Sequence, residues 1–174
     1  MWEIDPEQKE LDLALGFMIR QAATAEFFLH QTVRRLVGGK FASLVTASMQ
    51  ASAVLDAIKR ILDAGELGDE AIREMTQIIA KFRSAFEERN KHVHGFRIVG
   101  EEGKEVWSSN RRHGGFKREI IEADALMELG SDFSLAAGAL TVWTRHHLDG
   151  EPRRDRRAER SQEASPEAAS DISD

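Results

Sequence analysis

The run Glu88-Arg89-Asn90-Lys91-His92-Val93-His94-Gly95 gathers cations, an amide and two imidazoles within two helical turns. An imidazole can take a proton from a hydroxyl near neutral pH, and a guanidinium can hold charge that collects on phosphoryl oxygens. Together they could cut RNA without a metal, because the neighbouring 2′-hydroxyl is itself the nucleophile. Asn90 and His94 are four apart and share one helix face, so the amide is placed to orient the ring or bind a phosphate oxygen. Arg89 is five residues before His94, about 140° away around an ideal helix, so one protomer does not naturally aim both at one atom. Two copies meeting across a cleft would relieve that geometry.

Other chemistries find less to stand on. The chain has 174 residues and no Cys, which removes disulfide frameworks and thiolate chemistry together. Its His residues are His30, His92, His94, His113, His146 and His147, and they form neither an HExxH motif nor a recurring Glu-x-x-His pair, so no metal is expected. No Walker-type loop and no GxSxG turn is present, and no cofactor is expected. Net charge is −6, yet residues 89–118 carry eight basic and three acidic groups. That segment, with Lys91, Arg97, Arg111 and Arg112 as candidate substrate-binding cations, is where a polyanion would be drawn.

Plainer readings accompany these residues. Arg89 lies on the apolar stripe of its helix and could snorkel from a core edge or bind a Glu on another helix. Basic groups at a helix C-terminus complement the macrodipole, and His92 is read that way. His30 and His147 are read as packing histidines. The loop Asn110-Arg111-Arg112-His113-Gly114-Gly115 is either an RNA-contacting flap or a solvated turn. Trp107 is more simply a cover for a buried face than a stacking platform.

Spacings of three and four residues mark the elements that must position these groups. One helical stripe runs from Leu11 to Leu36 and stops at Gly38-Gly39; a second runs from Leu44 to Leu62 and ends near Gly65. A third, from Ile72 to Val93, ends in the Arg89–His94 run with Gly95 as C-cap, and a fourth runs from Leu126 to His147, weakened by Gly130 and Gly138. Between the third and fourth, Phe96–Val99 and Lys104–Trp107 read as a β-hairpin, which a short strand from Phe116 to Ile121 could join. The expected fold is an all-α bundle of about four helices over residues 1–148, with a small β-hairpin insertion at about 96–121. Residues 149–174 are expected to form a disordered charged tail. No basic and apolar leader and no membrane-length apolar run is seen, so a cytoplasmic protein with no membrane partner is expected.

Arg89, Asn90 and His94, with four residues between Arg and His and the motif closing the third long helix, resemble the signature of the HEPN (higher eukaryotes and prokaryotes nucleotide-binding) superfamily. The resemblance covers roughly residues 8–148. It implies a helical bundle, a metal-independent endoribonuclease with Arg89 and His94 catalytic and Asn90 supporting, RNA as partner, and a homodimer whose two motifs face each other. It also implies a setting like prokaryotic defence or toxin–antitoxin systems, with an antitoxin or regulatory protein. In some HEPN toxins a Tyr two residues beyond the His is modified to silence the toxin; here that position is Phe96 and the chain has no Tyr, which puts that pairing in doubt. Two other readings stand beside it: a non-catalytic helical-bundle module that binds a protein or nucleotide, and, with its ligand pattern missing, a four-helix metal carboxylate protein.

Overall fold

The computed structural model describes the backbone of residues 6–65, 67–94, 96–100, 103–110 and 115–150, and the side chains of 6–44, 46–65, 67–93 and 121–150. Helices α1 (Pro6–Val37), α2 (Ala42–Thr46), α3 (Ala51–Asp63), α4 (Asp69–His94) and α5 (Ala123–His147) dominate. Between α4 and α5 the backbone forms β1 (Phe96–Gly100), β2 (Gly103–Asn110) and β3 (Gly115–Ile120), an antiparallel sheet in the order β1-β2-β3. Phe96 is opposite Trp107 in the first pairing, and Trp107 is opposite Arg118 in the second. The expected tail, residues 149–174, lies outside the described residues beyond Gly150, as does Gly95.

The first stripe becomes α1, which buries Leu11, Ala14, Met18, Ala22, Ala25, Leu29 and Val33. It stops where Gly38 and Gly39 take φ of 62° and 76°, a left-handed conformation costly for residues with a Cβ. α5 lies along α1 and runs parallel to it. Phe17 meets Gly130, Gln21 accepts a hydrogen bond from Ser134, and Thr32 meets Thr144, a nearly constant offset along both helices. The buried Thr144 hydroxyl donates to the Leu140 carbonyl, so its single proton is used and Thr32 is the donor in the 3.2 Å contact between the two hydroxyls.

α4 packs against α5 in the opposite direction. Phe86 meets Phe133 edge-on at 4.9 Å between centroids, while near the other end the Trp143 indole N–H donates to the Ala71 carbonyl at 2.9 Å. Phe82, Phe133 and Leu126 are fully buried in the seam, each contributing about 1.5–3 kcal/mol by leaving water. α3 turns back into α4 after Gly65, at φ 75°, and Asp56 pairs with Arg83 across the two helices.

The single second helix expected from Leu44 to Leu62 is instead two. α2 buries Ala42 and Thr46 and leaves Leu44 74% exposed, whereas α3 buries Val54, Leu55, Ile58 and Leu62. The two buried faces are out of phase on one helix, so the chain breaks over 47–50, with Gln50 extended at ψ 161°. Thr46 holds the break: its hydroxyl donates to the Ala42 carbonyl and accepts from Arg34 Nε, both at 3.0 Å. Among the described residues the bundle therefore has five helices, one of them a single turn.

A Cβ added at Gly130 would stand 2.5 Å from Phe17 ring atoms and 3.2 Å from Met18 Cα, whereas one at Gly16 meets nothing within 4 Å. Gly130→Ala should cost about 1–3 kcal/mol and lower the melting temperature by roughly 2–10 °C. Gly16→Ala should leave it unchanged or raise it, since Ala is favoured over Gly by up to about 1 kcal/mol in a helix. Thermal melts followed by circular dichroism check both.

Candidate functional site

The candidate residues sit on the last turns of α4, at the end of the bundle where the chain passes into β1. α4 is continuous to His94, so Arg89 and His94 keep the angular separation of about 140° given by the helix. Phe86 is 7% exposed, stacks on Phe82 with ring centroids 6.2 Å apart, and meets Phe133 edge-on. The Arg89 guanidinium stands over the outer side of the Phe86 ring, 5.6 Å from its centroid. Its Nη2 donates to Asn90 Oδ1 at 2.8 Å, and Nε donates to the same oxygen at 3.3 Å.

This arrangement decides between the readings of Arg89. It sits at a core edge, as snorkelling requires, but its partner is the neighbouring amide rather than a Glu of another helix. A neutral acceptor leaves the positive charge uncompensated by any carboxylate at that contact, and an aromatic face below limits the positions the planar group can take. The remaining guanidinium donors are directed away from Asn90, in the planar fork that matches two oxygens of a phosphate.

Asn90 is exposed, and its carbonyl oxygen accepts from Arg89 and so holds the guanidinium. The His94 side chain lies outside the described residues, as do Arg111, Arg112 and His113. Arg97 is placed on β1 opposite Val106, its side chain outside the described set. Lys91 pairs with Glu88, which also lies 3.6 Å from His92 Nε2, so one carboxylate gathers two basic groups at the helix end. The half-exposed Lys91–Glu88 pair is worth about 0–1 kcal/mol and exchanges readily for another anion, whereas the His92 side chain is 12% exposed.

The packing reading of His147 holds. Its Nε2 lies 2.8 Å from Glu74 Oε2, its ring is 5.3 Å from that of Trp143, and its side chain is 13% exposed. His30 is half-buried on α1, away from the α4 terminus. Among the described residues no three His, Asp and Glu side chains come together to hold a metal. Among them, too, no helix is long and apolar enough to cross a membrane.

The feature that residue types did not disclose is the platform under Arg89. Phe86 and Arg89 are three apart, which puts them on adjoining turns of one face, and that spacing was the available signal. Arg89→Ala removes one exposed contact and should change the melting temperature by less than about 4 °C. Phe86→Ala empties a packed aromatic position and should cost about 3–5 kcal/mol, lowering it by more than about 6 °C. Comparable losses in calorimetry would show Arg89 to be a structural residue. No family model, curated protein or solved structure matches the chain.

Proposed function

We propose that the end of α4 is an RNA-cleaving site of the HEPN kind, with Arg89 and His94 catalytic and Asn90 supporting. The observation that carries this reading is the Arg89 guanidinium, held on an aromatic ring and by one neutral oxygen, with donors that no described residue takes up, five residues before a histidine at the head of a basic segment.

In the reaction, His94 takes the proton of a 2′-hydroxyl while its oxygen forms a bond to the adjacent phosphorus. The bond from phosphorus to the 5′ oxygen breaks, that oxygen leaves as a hydroxyl after taking a proton from water, and the proton on His94 passes to the solvent, which restores the base. Charge on the phosphoryl oxygens is held by Arg89. No metal enters the balance. Asn90 fixes the guanidinium plane, and Lys91, once released from Glu88, joins Arg97, Arg111 and Arg112 in holding the flanking backbone. The 140° separation on one continuous helix favours pairing of two α4 ends, so that one copy's Arg89 and the other's His94 address one phosphate.

Purified protein should cut RNA in EDTA and leave 2′,3′-cyclic phosphate and 5′-hydroxyl ends. His94→Ala should lower the rate by about 10²–10⁴-fold with the fold intact. Arg89→Ala should cost a similar factor, and Arg89→Lys should recover part of it, because a point charge replaces a planar fork. His92→Ala should matter much less. Undiminished cleavage by folded His94→Ala would sink the assignment, and uncut RNA with wild-type protein would favour a non-catalytic binding module.

A further inference from the structure

α5 covers the core with one face and turns the opposite face to solvent. The buried face holds Leu126, Leu129, Phe133, Ala136, Leu140 and Trp143, and on it α4 and α1 both pack. The opposite face carries Glu128, Ser131, Leu135, Gly138, Val142 and Arg145, at alternating steps of three and four. That is the seam spacing of a helix that packs along another helix, yet nothing within the described chain covers it. Leu135 is 72% exposed and Val142 68%, and a Cβ built on Gly138 between them meets nothing within 4 Å. The Ser131 hydroxyl donates to the Met127 carbonyl, so the residue offers little unsatisfied polarity outward.

The order of these residues says what fits. Counted outward from the midpoint of Ala136-Ala137, one direction reads Leu135, Ser131, Glu128 and the other reads Gly138, Val142, Arg145. Every step sets a large side chain against a small one, or an acid against a base. A surface matched to itself in reverse order is what an isologous two-fold contact requires. Glu128 and Arg145 are exposed, and within the described residues neither forms an ion pair.

The geometry points to self-association of this chain through α5. Two copies pack antiparallel about a two-fold axis at Ala136-Ala137, each Leu135 seated over the partner's Gly138 and each Val142 over the partner's Ser131. At the ends, each Glu128 pairs with the partner's Arg145. Helix axes can approach closely over a glycine, which lets the leucine fill the hole as a knob. The face points away from α4, so this contact is distinct from the Arg89 site, and its test reads mass and not RNA cleavage.

The experiment is sedimentation equilibrium on the full chain and four variants, each with a melting curve. Gly138→Gln adds a side chain where the protomer has open space but fills the seat of the partner's leucine. It and the exposed Leu135→Glu should each raise the dissociation constant by about 100-fold or more, halving the mass at micromolar concentration, without lowering the melting temperature of the protomer. Glu128→Arg should weaken association through like charges, and the double variant Glu128→Arg/Arg145→Glu should restore it. A wild-type chain whose mass equals that of Gly138→Gln and Leu135→Glu at every concentration overturns the proposal. So does a charge reversal that is not rescued by its swap.

Discussion

The parallel contact between α1 and α5 is the constraint on which the rest of the molecule depends. At its lower end the absence of a side chain on Gly130 lets the Phe17 ring approach, and further along the Thr32 and Thr144 hydroxyls meet inside the core. A hydroxyl pair away from water has few ways to be satisfied, so it fixes the sliding of one helix on the other more sharply than apolar contact does. With α5 set, Phe133 and Trp143 define where α4 can lie, through Phe86 and the Ala71 carbonyl. The position of Arg89 is the last link, because its guanidinium rests on Phe86. A surface charge is thus located by packing that begins two helices away.

How far this was legible differs by element. α1, α4 and α5 bury large apolar residues at helical spacing, and only one phase of each helix covers them all, so periodicity was sufficient. Gly130 reads as a weakness in the fourth stripe, but it is a contact, since its cost to the helix is offset by the approach of Phe17. The segment from Ala42 to Ser52 is rich in Ala and Ser, which fit a buried or an exposed position equally, so its pattern does not resolve one helix from two. What decides there is a hydroxyl, Thr46, bonded to Arg34 of another helix, and such long-range polar contacts leave no period behind. At the candidate site, spacing placed Asn90 on the face of His94, whose side chain lies outside the described residues, and gave no sign of the hydrogen bond that the Asn90 carbonyl oxygen accepts from Arg89 one residue before it.

The end of α4 also concentrates opposing fields. Unpaired carbonyls give a helix C-terminus a partial negative charge, and Arg89, Lys91 and His92 stand on that last stretch. Glu88 takes up two of the three, through Lys91 and His92, whereas Arg89 is turned to a neutral amide. Among the described residues the chain therefore sets a lysine paired with a carboxylate within a few residues of an arginine bonded to a neutral amide. That difference follows from the phase of the helix. Glu88 reaches forward three and four residues, and Arg89 lies on the adjoining face over Phe86.

Parallel neighbours so distant in sequence carry a consequence for synthesis. α1 is made first and α5 after every other described element, yet each covers the other's buried face. Until α5 emerges from the ribosome, Met18, Leu29 and Val33 have lost one of the walls that keep them from water, and α1 must wait with a sticky flank exposed. Closing so long a stretch of chain costs entropy before the contact repays it, which slows the search relative to a bundle of successive hairpins. A nascent chain stalled before residue 123 would hold most of its helices and lack the one that locks them.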